Sequence, residues 1–220
     1  MLGEALRSGV ADKMSGEERK ADLLEAALRV FSEKGYNRAS LQDIANSVGI
    51  LKGSLYYYYK SKEALLFDVL KFVHDEHLAN AQKLASGSGD PLSRLRALLE
   101  GHAAFVCDNL DRTTVFVREM DRLPARLQTE ILGADRAYQS VFRNLIIAAQ
   151  GTGQVPASVH PKLATLWILG SLNWLHRWYR PERAGGSSLI AAQFADQLTR
   201  AIAPSPLWNV VEIDSRNQDR

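Results

Sequence analysis

The chain has 220 residues and a net charge of +2; 46% of its residues are hydrophobic and 24% are charged, an ordinary globular composition. It has no run of 18 apolar residues and no apolar signal-peptide centre, so we expect a cytoplasmic protein without a membrane span. The single cysteine, Cys107, excludes an intrachain disulfide, and we expect it to be a buried apolar residue rather than a reactive thiol.

Capping patterns and apolar stripes predict the first two helices. Ser15 and Ser40 each stand three residues before an acid, which is the spacing of a capping box at a helix start. Apolar residues then recur at i, i+3, i+4 and i+7, as on one face of a helix. Gly35 and Gly49 follow these stripes and are predicted to end the helices in a left-handed conformation.

A short third helix is predicted directly after Gly49. Between Ile44 and Lys62 the sequence has three lysines, four consecutive tyrosines and no acid. Leu55 and Tyr59 share one helical face and are expected to pack inward, so the other tyrosines must point elsewhere. A compact helix, a glycine turn and a short basic and aromatic helix are typical of a helix-turn-helix motif, whose second helix enters the major groove of DNA.

The predicted DNA-contacting residues are basic, small or hydroxyl-bearing, with one leucine at the start of the helix. Lysines and helix N-termini attract phosphate, tyrosine hydroxyls bond to it, and small residues let the backbone approach. The predicted contacts are Ser40, Leu51, Lys52, Gly53, Ser54, Tyr56, Tyr57, Lys60 and Lys62. The alternative is that the tyrosines belong to the core and the lysines to a solvated face.

Residues 17–66 resemble the DNA-binding domain of the TetR family of bacterial transcriptional regulators. The matching segments are Ala26–Phe31, Lys34–Tyr36, Ser40–Ala45, Val48–Ile50 and Lys52–Glu63. Ser40 stands where the family most often has threonine, and Tyr57–Tyr59 stand where it often has histidines and phenylalanine. The resemblance implies a homodimeric, all-helical regulator, usually a repressor that leaves its operator when a small molecule binds the C-terminal domain.

The rest of the chain also predicts helices, about nine in all, and therefore an all-α fold. The further helices are predicted to begin at Ser61 and Asp90, to span about 112–121, and to run from Pro124 to Gly151, Pro161 to Tyr179 and Ser187 to Ile202. The predicted division is a flexible tail over 1–14, the helix-turn-helix domain over 15–62, a ligand-binding and dimerisation domain over 63–203, and a C-terminal tail over 204–220.

Aromatic and apolar residues on the later helices could line a ligand pocket, although such residues are usually core. Asn173 and Arg177 share a face, as do Trp174 and Trp178, and together they could bind a ligand with an apolar body and a polar head. The candidate ligand-binding residues are Phe105, Phe116, Met120, Tyr138, Phe142, Trp167, Asn173, Trp174, Arg177 and Trp178. The segment Leu172–Pro181 resembles TetR-type regulators of fatty-acid and sterol breakdown, which sense acyl-CoA thioesters.

The last two helices are predicted to pair with their copies in a four-helix dimer interface. The apolar residues offered for it are Leu189, Ala192, Phe194, Ala195 and Leu198. Trp167 and Leu175 could belong either to this interface or to the pocket.

Three histidines, His74, His77 and His102, lie on predicted helices. His74 and His77 have a spacing that can chelate a metal, but with no third ligand evident we expect a solvated polar face. His102 is expected in the core or the pocket. The sequence shows no nucleophile–base pair, phosphate loop or metal set, so an enzyme is the disfavoured reading and we predict no cofactor and no metal.

The leading hypothesis is a homodimeric repressor that binds a palindromic double-stranded DNA operator and is released by a small hydrophobic effector, with an acyl-CoA thioester as the favoured candidate. The alternatives are a drug- or aromatic-responsive repressor of an efflux or catabolic operon, and an activator or constitutive DNA-binding protein without an inducer.

Overall fold

The computed structural model describes residues 16–182 and 185–204. Within these ranges the chain forms ten α-helices and a 3₁₀ turn at Met120–Arg122, with no strand, which confirms the predicted all-α class. The helices are α1 Gly16–Lys34, α2 Leu41–Ser47, α3 Lys52–Tyr58, α4 Lys62–Ala85, α5 Pro91–Asp108, α6 Leu110–Glu119, α7 Ala125–Gly151, α8 Pro161–Asn173, α9 Leu175–Trp178 and α10 Ser187–Ile202. The predictions for Ser15 and for the tails over 1–14 and 205–220 lie outside the described residues.

The chain divides into two compact units between Val69 and Leu70. The division therefore falls inside α4, and not at the start of α4, where the sequence analysis put it. Leu65, Leu66 and Val69, in the first part of α4, are fully buried and lie on the N-terminal side of the division.

The N-terminal unit packs α1 against α2 and α2 against α3. The capping box predicted for α2 is present: the Ser40 backbone N–H donates to Asp43 Oδ2 at 2.9 Å, and the Asp43 N–H donates to Ser40 Oγ at 3.1 Å. Gly35 and Gly49 follow α1 and α2 with φ of 72° and 70°, the left-handed conformation that glycine adopts without strain. These features fix the turns on both sides of α2.

The C-terminal unit is built around α5, which packs along α10 and also contacts α7. Leu99, Phe142 and Ile146 are among the fully buried side chains of its core. Ala195 and Leu198 of α10 belong to this core and not to an exposed interface as predicted. None of the described helices is long and apolar enough to cross a membrane.

The predicted helix from Pro161 to Tyr179 is interrupted after Asn173, and this is the main correction to the predicted fold. In a continuous helix the Asn173 carbonyl would accept the Arg177 N–H. Instead, the Arg177 N–H donates to the Trp174 carbonyl at 3.0 Å, and the Asn173 carbonyl lies 2.5 Å from His176 Nδ1. Trp174, at the break, keeps backbone angles in the helical region, with φ of -69° and ψ of -16°. Leu175, offered for the interface or the pocket, is fully buried in the core.

Candidate functional site

The exposed face of α3 has the orientation predicted from the sequence. Leu55 is fully buried and Tyr59 is 5% exposed, whereas Tyr57 is 80% exposed. Tyr56 and Tyr58 are also exposed. The inward packing of Leu55 and Tyr59 is therefore confirmed, and the tyrosine run is not merely part of the core.

The end of α3 is anchored by a buried hydroxyl. The Tyr59 hydroxyl donates to Asp68 Oδ2 at 2.9 Å, and Lys20 Nζ lies 2.9 Å from the same oxygen. Burial, together with the neighbouring Asp68 carboxylate, raises the pKa of Tyr59, so its hydroxyl remains a proton donor. This network links residues of α1, α3 and α4 within the N-terminal unit.

Two of the predicted phosphate-binding lysines donate hydrogen bonds inside the protein. Lys62 Nζ donates to the carbonyls of Tyr36 at 2.8 Å and Ala39 at 3.0 Å, and it lies 4.3 Å from the centre of the Tyr36 ring. Lys60 Nζ donates to the Tyr56 carbonyl at 3.1 Å, near the end of α3. These contacts were not predicted from the sequence, and those of Lys62 fix the turn before α2.

The remaining predicted DNA contacts lie together at the start of α3 and on its outer face. The α3 surface comprises Leu51, Lys52, Gly53, Ser54, Tyr56 and Tyr57, all of which are exposed. Ser40 is exposed too, but its hydroxyl already donates to Asp43 Oδ2 at 2.7 Å. The Asp43 carboxylate also accepts from Lys34 Nζ at 2.6 Å, and these hydrogen bonds lower its pKa to about 2.

The C-terminal unit contains a cavity of about 100 Å³ between α4, α5, α6, α7 and α8. Its walls are Val73, His74, His77, His102, Phe105, Val106, Thr113, Phe116, Val117, Asp135, Tyr138, Leu169 and Asn173. Val117 and Asn173 are exposed, so the cavity meets solvent where α6 and the end of α8 contribute to it.

Four of the predicted ligand-binding residues line this cavity, namely Phe105, Phe116, Tyr138 and Asn173. The other six do not. Phe142 is fully buried in the core, and Met120 is half-buried outside the cavity.

The aromatic and basic residues at the end of the predicted helix eight are exposed, which corrects their assignment to the pocket. Trp167 is 48% exposed on the outer face of α8. The residues after Asn173 do not line the cavity. The Arg177 guanidinium lies 5.6 Å from the ring centre of Trp174, and Trp178 stacks on Phe194 at 5.9 Å.

A chain of hydrogen bonds crosses the cavity wall and fixes the ring tautomers. His102 Nε2 lies 3.0 Å from Asn173 Oδ1, His102 Nδ1 lies 2.5 Å from the Tyr138 hydroxyl, and that hydroxyl lies 3.1 Å from His77 Nε2. Because Asn173 Oδ1 accepts, His102 Nε2 carries the proton and Nδ1 is an acceptor. The Tyr138 hydroxyl therefore donates to His102 and accepts from His77, so the whole chain points in one direction.

Burial keeps the imidazole of His102 uncharged. His102 is 3% exposed, and burial lowers its pKa to about 4. Burial also lowers the pKa of His77, and the neighbouring rings of His102 and His74 contribute further. The cavity wall is thus polar but carries no positive charge from histidine at neutral pH.

His74 differs from the other two histidines because neither of its ring nitrogens has a hydrogen-bond partner, although the residue is only 6% exposed. The Asp75 carboxylate lies 3.9 Å from Nδ1, which is too far for a hydrogen bond. Its ring stacks on Phe116 at 6.3 Å and meets the edge of Tyr138 at 6.2 Å. The predicted solvated polar face is therefore wrong for His74.

Two family profiles match this chain. Residues 23–69 match the family described as bacterial regulatory proteins, tetR family, and residues 88–202 match the Tetracyclin repressor-like C-terminal domain. The chain belongs to the TetR family. It is therefore a TetR-type transcriptional regulator, as the α3 surface indicated.

Known TetR proteins resemble the chain over most of its length. The HTH-type transcriptional repressor KstR2 of Mycobacterium tuberculosis is 27% identical over 84% of this chain and 92% of that protein. A solved TetR/AcrR-family regulator from Thermobifida fusca is 33% identical over 84% of this chain and 99% of its own, with a TM-score of 0.70. AibR, solved with isovaleryl coenzyme A and operator DNA, is 23% identical over 85% of this chain and 99% of its own, with a TM-score of 0.73, and shares the fold.

The cavity histidines of this TetR-family protein had a sequence signal that was overlooked. Leu70, Val73, His77 and Ala81 continue the apolar stripe of α4 at helical spacing, and His74 follows Leu70 by four residues. That continuity indicated an inward face. Within the described ranges no group of three or more His, Cys, Asp or Glu side chains has the arrangement of a metal site.

Proposed function

We propose that this TetR-family regulator acts as a cytoplasmic homodimeric repressor that binds a palindromic operator through the α3 surface. The observation that carries the proposal is the exposure of Lys52 and Tyr57 on a short helix without acidic residues, behind the turn at Gly49. Such a helix fits the major groove, where lysine and tyrosine side chains reach bases and phosphates. We propose no enzymatic activity.

The proposed dimer rests on large apolar side chains that the single chain leaves uncovered. Leu163, Leu166 and Trp167 recur along one face of α8, and Leu189 lies exposed at the start of α10. Exposed apolar surface of this kind is typical of an interaction site. A second copy of the chain, packed about a two-fold axis, would cover it, and the dimer would carry one α3 helix for each half of a palindromic operator.

The proposed effector is a short acyl-CoA thioester whose acyl group enters the cavity. Pockets for drug-sized ligands are roughly 300–1,000 Å³, whereas this cavity is about 100 Å³. A dry cavity of about 150 Å³ binds the six carbons of benzene. This cavity is about two-thirds of that size and meets solvent, so it suits an acyl group of about four or five carbons. The Trp174–Arg177 pair directly follows Asn173, and we propose that it meets the CoA outside the cavity.

A small aromatic compound is the second candidate. Phe105, Phe116 and Tyr138 provide ring faces and edges along the cavity wall, and such surfaces favour aromatic ligands. The cavity volume limits either ligand to one small ring or a short chain.

The DNA-binding proposal is tested with an operator selected from random double-stranded DNA and measured by gel shift. We expect Tyr57→Ala and Lys52→Ala to weaken binding by about tenfold or more, and Lys52→Ala to lower the slope of log K against log salt by about 1. Lys83→Ala on α4 is the matched control, since Lys83 is an exposed lysine of the C-terminal unit. Unchanged affinity and salt slope in both α3 variants would contradict the proposal.

The effector proposal is tested by thermal unfolding with pentanoyl-CoA, stearoyl-CoA, CoA, pentanoate and phenol. A ligand that binds the folded state raises the unfolding midpoint by mass action. We expect a rise with pentanoyl-CoA that exceeds the rise with every other compound. A rise with phenol alone favours the aromatic alternative, and no rise with any compound favours a regulator without an inducer of these classes.

A further inference from the structure

We propose that His74 recognises the effector, and that the group it recognises is an uncharged oxygen, as in a carbonyl or hydroxyl, rather than a carboxylate. This inference deepens the proposed function, because it takes the cavity as the effector site. To the proposed function it adds two statements: His74 selects the ligand, and the ligand atom that binds His74 is uncharged.

Four other polar side chains of the cavity wall, those of His77, His102, Tyr138 and Asn173, are connected by hydrogen bonds. The ring nitrogens of His102 contact Asn173 and Tyr138, and the Tyr138 hydroxyl uses its proton on one histidine and its lone pair on the other. A ligand that bonded to these atoms would have to replace an existing hydrogen bond, so these hydrogen-bonded side chains contribute little to ligand affinity.

His74 offers unused hydrogen-bonding capacity at the same cavity. It lines the wall, is 6% exposed and has no partner at either ring nitrogen. Phe116 and Tyr138 pack against its ring and hold its orientation. A neutral imidazole has one donor nitrogen and one acceptor nitrogen, so it can bond to a carbonyl or to a hydroxyl. A ligand oxygen here makes a hydrogen bond without breaking one.

The charge of the wall excludes a carboxylate. Asp135 is the only acidic residue among the lining residues, and none of them is a lysine or an arginine. Asp75, next to His74 in sequence, is exposed and pairs with Lys71 at 2.6 Å. A carboxylate in the cavity would therefore lose its hydration beside another negative charge without gaining a cation.

The test uses the full-length protein labelled with ¹⁵N in its five histidines, titrated with three probes of one size: pentan-2-one, pentanoate and pentylammonium. The ring signals report binding, and assignment follows from single His variants. We expect pentan-2-one to bind about tenfold or more tighter than either ion and to shift the His74 signals most, as one hydrogen bond gained is about tenfold.

Two variants distinguish ligand recognition by His74 from a purely structural role of its ring. His74→Phe keeps a ring of similar shape, and we expect it to weaken pentan-2-one binding by about tenfold while leaving pentanoate binding weak. Asp135→Asn removes the negative charge, and we expect it to strengthen pentanoate binding while pentan-2-one binding stays the same. His160→Phe is the control, because His160 is exposed and lies outside the cavity.

The inference is overturned if pentanoate or pentylammonium binds as tightly as pentan-2-one, if His74→Phe binds the ketone as wild type does, or if no probe binds. A purely structural role for His74 would weaken all three probes equally. Failure of the proposed function looks different: the protein would bind the ketone through His74, yet no acyl-CoA would change its affinity for operator DNA.

Discussion

Replacement of Tyr138 by phenylalanine removes one oxygen from the centre of the hydrogen-bond chain and keeps the ring. The Tyr138 hydroxyl contacts His102 Nδ1 at 2.5 Å and His77 Nε2 at 3.1 Å, so both nitrogens lose their partner. The ring contact with Phe142, with centres 5.3 Å apart, does not depend on the hydroxyl. The variant therefore isolates what the hydrogen bonds of the Tyr138 hydroxyl contribute to the free energy of unfolding.

The expected cost follows from the burial of the two nitrogens. A buried polar atom left without a partner costs about 1–3 kcal/mol. His102 is 3% exposed and carries that full cost, whereas His77 is half-buried and loses less. We expect the free energy of unfolding of the C-terminal unit to fall by about 2 kcal/mol, which lowers the unfolding midpoint by about 4–8 °C in a chain of this size.

Tryptophan fluorescence measures this change, because all four tryptophans lie in the sequence of the C-terminal unit. Urea denaturation of wild type and Tyr138→Phe gives the difference in unfolding free energy. Tyr57→Phe makes the same chemical change at a hydroxyl on the α3 surface and is expected to stay within about 0.5 kcal/mol. If Tyr138→Phe also stays within that range, the oriented chain does not stabilise the fold and the tautomer assignment loses its energetic support.

Three further predictions concern pH and the N-terminal unit. Burial lowers the pKa of His102 to about 4, so the unfolded chain binds the extra proton below about pH 6.5. The contribution of His102 to the unfolding free energy is therefore constant above that pH and falls by about 2 kcal/mol at pH 5, and the lowered pKa of His77 adds to this fall. A flat urea-denaturation profile between pH 7.5 and 5 would contradict this. Lys62→Met keeps the side-chain stem but removes its two hydrogen bonds, and should destabilise the N-terminal unit by about 1–2 kcal/mol in denaturation followed by circular dichroism, whereas Lys83→Met should not. Leu55→Ala, at a fully buried position, should cost about 2–5 kcal/mol by the same method, and a cost below about 1 would refute the assigned orientation of α3.

The local elements of this fold could be predicted because their causes are local. The capping box at Ser40, the positive φ at Gly49 and the inward face of Leu55 and Tyr59 each depend on residues a few positions apart. Periodicity and capping chemistry therefore located the helix-turn-helix motif and most of the later helices.

The features that sequence patterns missed depend on residues far apart in the chain. Lys62 binds carbonyls 26 and 23 residues away, and Asn173 binds His102 across 71 residues. The interruption between α8 and α9 after Asn173 has no proline or glycine at the break from which it could have been predicted. Local helix propensity does not predict such contacts, since they form only when distant parts of the sequence pack together.

Regulation through the cavity is tested by the affinity of the wild-type protein for its selected operator with and without pentanoyl-CoA, followed by fluorescence anisotropy. A TetR-type repressor whose effector occupies the cavity should lose operator affinity by about tenfold or more with pentanoyl-CoA and keep it with CoA, which is a coupling of about 1.4 kcal/mol or more. Equal operator affinity with saturating pentanoyl-CoA, with phenol and with no ligand would contradict regulation through this cavity.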